Sequence, residues 1–164
     1  MIDCRIYNEA DYQFLREMLY EAVFWSRTYD KPTLEEGLSY DYAKHILLEF
    51  GKRNGDIAVI AEIDGVRVGA AFIRYWNKEV NTRGYISDSI PVLVIGVRES
   101  HRRLGVGSAL MEAIKTAAIN AEIYDISLCV TKSNKAYNLY TKHDFKIVEE
   151  VDLSYNMLWE AQKS

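Results

Sequence analysis

The chain opens on strict alternation. Ile2, Cys4 and Ile6 are set against Asp3 and Arg5, the period-two pattern of a half-buried strand. From Asn8 the period lengthens. Asn8 is a helix-opening residue, and Asp11 stands where a carboxylate favours the positive end of a helix. Tyr12, Leu15, Met18, Leu19, Ala22 and Val23 then recur at helical spacing, and residues 28–32 break the pattern. Thr33 followed by Glu36 has the spacing of a capping box. Leu38, Tyr42, Ile46 and Phe50, each four apart, predict a second helix with these residues on one face, ended by Asn54-Gly55. Two apolar runs, 57–63 and 66–76, flank Asp64-Gly65, a strong hairpin signal. A polar loop over 77–89 has few core candidates. Residues 92–97 are apolar without interruption, as in a strand buried on both faces, with Pro91 at its start. The remaining pattern predicts a helix over 108–120 through Leu110, Met111, Ile114 and Ala117, a strand over 123–130, and a short helix over 135–142. A closing strand pair, 145–151 and 155–159, completes it. The order β-α-α-β-β-β-α-β-α-β-β describes one mixed α/β domain over 1–164, with a central hairpin and a βα unit after it.

Composition narrows the partners. With 164 residues, 49% apolar and 27% charged, the chain can bury a core without staples, and disorder, collagen and coiled coil are excluded as overall classes. Twenty Lys and Arg against 24 Asp and Glu leave a net charge of −4. That balance argues against nucleic acid as the main partner and leans weakly toward a cationic or amine substrate. Cys4 and Cys129 form no metal spacing and no disulfide framework, and His45, His101 and His143 form no HxxxH or HExxH pair. The first residues carry charge throughout, with no apolar leader, and no apolar run reaches the length of a membrane span. The expectation is a cytoplasmic protein without a membrane partner.

Candidate chemistry sits mid-chain. The apolar run ending at Gly96-Val97 passes through a basic turn into Arg102-Arg103-Leu104-Gly105-Val106-Gly107-Ser108, where a helix begins. Free N–H groups and the helix dipole favour an anion there. Gly105 and Gly107 let the backbone approach phosphate oxygens, and Arg102 and Arg103 add positive charge. The pattern reads as a pyrophosphate cradle. It is neither a Walker A loop, since no Lys-Ser/Thr follows the last glycine, nor a dinucleotide fingerprint.

About 25 residues later come Asn134, Ala136, Leu139-Tyr140 and Asp144-Phe145. A strand followed by Arg-x-x-Gly-x-Gly and a helix, then Asn-x-Ala, Leu-Tyr and a closing Phe, resembles the GCN5-related N-acetyltransferase (GNAT) superfamily over essentially the whole chain. The resemblance implies a GNAT fold, with a mixed sheet of about seven strands and about four helices. It implies acetyl transfer from acetyl-CoA to an amine of a small molecule or peptide by direct attack in a ternary complex, with no metal; a homodimer is compatible with it. It further implies that Ile95 and Val97 hold the pantetheine arm on the splayed end of their strand. The amides of Arg103, Leu104, Gly105, Val106, Gly107 and Ser108, with Arg102, would take the pyrophosphate. Asn134 would help hold the pantetheine, and Tyr140 would serve as general acid toward the departing sulfur.

Several positions depart from the family pattern. Asp144 replaces the usual Gly before Phe145, which asks an aspartate to take a left-handed turn. Pro91-Val92 and Cys129 stand where relatives carry a glutamate base. Three substitutes remain open: Asp88 acting through water, His101, or no side-chain base at all. Other roles also stay open. Tyr140 could be a core aromatic, Asn134 only an N-cap, and Tyr75, Trp76 and Tyr85 either an acceptor pocket or a cover for the sheet. Two other functions remain: an acyl-CoA-binding module of the same fold with little or no turnover, and an unrelated α/β protein holding another phosphate.

Overall fold

A computed structural model describes residues 1–26 and 30–161. Seven strands form one sheet in the order β1-β2-β3-β4-β5-β7-β6. They are β1 (Ile2–Ile6), β2 (Ile57–Ile63), β3 (Val66–Arg74), β4 (Val92–Val97), β5 (Asp125–Thr131), β6 (Lys146–Val151) and β7 (Ser154–Glu160). The helices are α1 (Tyr12–Val23), α2 (Leu34–Leu38), α3 (Val106–Asn120) and α4 (Ala136–Lys142). Element order matches the sequence reading, and outside the second helix boundaries shift by a few residues. Only β4 and β5 run parallel to each other; the other neighbouring strands are antiparallel.

Strand alternation divides the core between the two faces of the sheet. Val59, Ala61, Val68, Ala71, Leu93, Ile126, Leu128 and Met157 pack with Val106, Leu110, Met111 and Ile114 of α3. Ala58, Ile60, Ala70, Phe72 and Val92 point the other way, onto Phe14, Leu15, Met18 and Leu19 of α1. Gly96 marks a close backbone approach, where a Cβ would stand 2.2 Å from the Met18 carbonyl oxygen. Only glycine lets α1 lie this close to β4.

Local signals explain the junctions. Asn8 accepts from the Ala10 N–H, while Asp11 accepts from the Asn8 N–H at 2.9 Å. Asp11 does more than favour the helix end: it is buried and ion-paired to Arg5 at 2.7 Å and Arg67 at 3.2 Å, which ties α1 to β1 and β3. Those guanidinium groups hold its carboxyl down to about 2. Asp64 and Gly65 both take positive φ, 51° and 78°, as the two-residue hairpin requires.

The second helix is the clear departure. The helix expected through Leu38, Tyr42, Ile46 and Phe50 ends at Leu38, and residues 39–53 form successive turns. N–H groups there reach three residues back, as from Ile46 to Ala43 and from Phe50 to Leu47. Two carbonyls a helix would use are claimed by distant side chains. Arg74 donates to the Ile46 oxygen at 2.9 Å, and the Tyr12 hydroxyl donates to that of Leu47 at 3.0 Å. Arg74 also grips Asp56, both side chains fully buried. Ile46 and Phe50 still reach the core, whereas Tyr42 is exposed. The segment thus keeps much of its apolar face without its helix. Part of the predicted break at 28–32 lies outside the described residues.

Candidate active site

β4 and β5 are joined at one registered pair, Val92 with Ser127, where the Ser127 N–H donates to the Pro91 carbonyl. Beyond it the strands part. Pairing on the β3 side fixes the alternation: the Arg98 N–H bonds to Val68, so Gly96 and Val94 also turn their polar groups toward β3. Ile95 and Val97, one step out of phase, turn theirs into the gap. Cys129 follows Ser127 by two residues and lies on the gap's opposite wall, at the level of Val94. On the face away from α3 the cross-strand row continues from Cys129 through Asn156 to Glu149, whose carboxylate accepts from Asn156 at 3.0 Å.

The turn after β4 leads into α3. Arg103 and Gly105 both take positive φ, 66° and 87°. Alternating left-handed positions in this run arrange successive N–H groups as a concave nest. Among the described residues, the N–H groups of 103–108 donate to no acceptor, and the first helical bond there is from Ala109 to Gly105 at 3.1 Å. The dipole of the long α3 adds to the positive potential. Among the described residues, chain neighbours aside, only Ile2 comes within 4 Å of a Cβ at Gly105, so the need for glycine there is conformational. Gly107 serves differently: a Cβ would meet Leu139 of α4 at 3.0 Å, so its smallness lets α4 pack on α3. Val106 is buried in the core, and the Leu104 side chain is 58% exposed; both can offer only their amides.

The two arginines part company. Arg102 donates to Glu21 of α1 at 2.9 Å and to the Val97 carbonyl at 3.4 Å. Its charge is already engaged. Arg103 makes no hydrogen bond or ion pair among the described residues.

Asn134 lies one residue ahead of Lys135, the N-cap of α4. Its side-chain oxygen accepts from the Ala136 N–H at 2.9 Å, opening α4. Tyr140 lies in that helix, buried, with its ring centroid 6.1 Å from that of Phe145. Burial, with the nearby Cys129, pushes its hydroxyl well above the ordinary phenol range. It donates to no described residue. No fully enclosed side-chain N or O among the described residues lacks a hydrogen-bond partner, so this hydroxyl is still open to the outside. Asp144 takes φ 68°, the left-handed turn its position asks for.

The base candidates fare unevenly. Asp88 is exposed and accepts a very short hydrogen bond from Tyr85, whose own hydroxyl is pushed up to about 12. His101 bonds the adjacent Ser100 at 2.8 Å. The three aromatics are not one cluster. Trp76 is buried beneath Arg53 and Arg74, Tyr85 packs on the same face, and Tyr75 packs on the other. They cover the sheet.

One group escaped the sequence reading. His143, in the turn after α4, joins Ser108 and Glu112 of α3 through its two ring nitrogens, at 3.1 and 3.0 Å. Ser108 and Glu112 are four apart on one helix face, but nothing local in sequence ties them to a histidine over thirty positions on. Among the described residues, no group of three His, Cys, Asp or Glu side chains could hold a metal ion, and no helix is long and apolar enough to cross a membrane.

Comparison with known proteins agrees with this geometry. The chain shares its fold with the PaiA N-acetyltransferase of Thermoplasma acidophilum, solved in complex with coenzyme A, at 18% identity and a TM-score of 0.74, covering 98% of this chain and 99% of that one. It is similar to YncA of Salmonella typhimurium, solved with its cofactor acetyl-CoA, at 16% identity and a TM-score of 0.68, covering 99% and 95%. A third likeness is to the ribosomal-protein-alanine N-acetyltransferase of Brucella melitensis, at 19% identity and a TM-score of 0.67, covering 96% and 99%. Identities this low speak for the fold. The family model for the acetyltransferase (GNAT) family matches residues 16–145, so the chain belongs to the GNAT acetyltransferases.

Proposed function

We propose that this protein is an N-acetyltransferase that moves an acetyl group from acetyl-CoA to a primary amine of a small molecule or peptide, by direct attack in a ternary complex. The observation that carries the reading is the parting of β4 from β5 after a single registered pair, beside the N–H groups of 103–108, which have no acceptor among the described residues. Together they offer a slot edged with main-chain groups and an anion cradle. These residues fit an acetylated pantetheine arm ending in a pyrophosphate. The GNAT membership and two relatives, solved with coenzyme A and with acetyl-CoA, support the same assignment.

Acetyl-CoA supplies a thioester, already activated toward an amine, so much of the remaining work is positioning. Ile95 and Val97 offer N–H and C=O groups to the arm's amides in the manner of an added strand. The amides of 103–108 take the phosphates, with Arg103, which has no partner among the described residues, beside them and Arg102 available only by releasing Glu21. Asn134 keeps its side-chain oxygen on the helix, so its contribution is the remaining NH₂ group. Tyr140, held protonated by burial, donates a hydrogen bond to the sulfur as negative charge develops there. The acceptor must lose a proton. Since Asp88 is engaged by Tyr85 and neither Val92 nor Cys129 is a carboxylate, that proton leaves through main-chain carbonyls and water at the gap. Both cysteines are free, in keeping with a cytoplasmic setting.

Two measurements separate the readings. Acetyl-CoA should raise the melting temperature, and incubation with a panel of primary amines should release free thiol in an amine-dependent way. Protection without thiol release from any amine would favour an acyl-CoA-binding module. Absence of protection would point to a different phosphate ligand.

A further inference from the structure

The Ser108–His143–Glu112 arrangement sits at the cofactor cradle, and donor–acceptor bookkeeping gives it a consequence. His143 is 8% exposed, its Nδ1 is 3.0 Å from Glu112 Oε1, and its Nε2 is 3.1 Å from Ser108 Oγ. A carboxylate only accepts, so Nδ1 carries a proton. In the neutral ring Nε2 is then a bare lone pair, and the Ser108 hydroxyl spends its one proton on it. In the imidazolium both nitrogens are donors. Nε2–H then donates to Oγ, and the Ser108 proton is free to turn outward. Ser108 belongs to the 103–108 run, none of whose N–H groups has an acceptor among the described residues.

We propose that His143 couples cofactor binding to proton uptake: protonated, it releases the Ser108 hydroxyl to donate to the pyrophosphate, so the cofactor binds together with one proton taken from solvent. No heavy-atom bond changes; the proton goes to Nε2 and the Ser108 O–H changes partner. His143 is a positioning residue here, acting through Ser108. The proposal rests on the cradle being a pyrophosphate site.

The surroundings allow the ring to charge. From α3 come the Glu112 carboxylate and Lys115, whose ammonium donates to the His143 carbonyl at 2.5 Å. Its own element contributes the Tyr140 phenol and Lys142, and the turn contributes Asp144, which lies close enough to act on Lys115. Glu112 and Asp144 offset Lys115 and Lys142, and an arriving diphosphate tips the balance toward imidazolium.

The test is titration calorimetry with dephospho-CoA, which lacks the phosphate monoester that titrates near neutral pH. Binding is measured at matched pH in buffers of different ionisation enthalpy. In the wild type the observed heat should vary with the buffer and report uptake of up to one proton, and affinity should weaken by up to about tenfold per pH unit on the alkaline side. In Ser108→Ala and in His143→Gln the buffer dependence should vanish while binding persists; Ser108→Ala carries the test should His143→Gln fail to fold. Binding without buffer dependence in the wild type overturns the coupling and leaves the cradle standing. Uptake that survives Ser108→Ala overturns the hydroxyl's part. No binding of dephospho-CoA or acetyl-CoA overturns the cradle and the coupling with it.

Discussion

Tyr140 is where the chemistry narrows to one atom: a buried ring whose hydroxyl has no described partner yet is not sealed in. Tyr140→Phe should lower kcat by about 10²–10⁴-fold with little change in acetyl-CoA affinity, checked by steady-state kinetics beside calorimetry. An unchanged kcat, where chemistry limits the rate, would return Tyr140 to plain packing. Asp88→Asn should cost no more than about tenfold, roughly 1.4 kcal/mol, because that carboxylate is exposed and already accepts from Tyr85. A rate limb near neutral pH that is the same for every amine and vanishes in Asp88→Asn would make it the base after all. Asp11 is a residue of stability rather than catalysis. Its folded value of about 2 lies below the ordinary carboxylate value, so its contribution is full above about pH 4 and is lost as pH falls through 2. With Arg5 and Arg67 still partly open to solvent, this amounts to about 1–2 kcal/mol. Denaturation from pH 5 to 2 should show Asp11→Asn less stable at pH 5 and much closer to wild type at pH 2; a constant gap would contradict the assignment. Local conformation was legible where a motif confined it: positive φ at Gly105 and Asp144, and the Asn134 side chain on the Ala136 N–H. Contacts between residues far apart in sequence were not. The sequence places Arg102 at the turn but does not show its ion pair with Glu21 of α1, and it leaves His143 scattered where the fold sets it against Ser108 and Glu112 of α3.

Among the elements, strands were read best, because alternation and buried runs follow from which face meets the core. Residues 39–53 show the limit. Leu38, Ile46 and Phe50 keep the four-residue spacing and are buried, but the buried Arg74 and the half-buried Tyr12 donate to carbonyls a helix would use, and no local pattern foretells that. The Arg74–Asp56 pair is correspondingly important. Asp56→Asn leaves a fully buried guanidinium without its counter-ion and should cost about 3–5 kcal/mol, read from the urea midpoint. A loss below 1 kcal/mol would mean the segment is held by its apolar contacts alone. The α1–β4 contact offers a second check. Gly96→Ala drives a methyl against the Met18 backbone rather than a flexible side chain, and should destabilise by about 1–3 kcal/mol while pushing α1 off the strand whose edge borders the gap. An alanine variant as stable as wild type would show that α1 can shift at no cost.

At the level of the whole molecule, the only parallel pair in an otherwise antiparallel sheet opens a slot between β4 and β5, and α3 brings its amino-terminal amides to that opening. Two cores on opposite faces, one with α3 and one with α1, hold the walls in place. Gly105→Val, forced into the left-handed region at φ 87°, should abolish acetyl-CoA binding without unfolding either core. The central claim is that the cofactor fills this slot and cradle, and residue-resolved amide hydrogen exchange with and without acetyl-CoA tests it most directly. New protection should appear at Ile95, Val97 and the amides of 103–108, whose N–H groups have no acceptor among the described residues. Exchange unchanged at these amides in protein saturated with acetyl-CoA, or protection confined to another face, would contradict it.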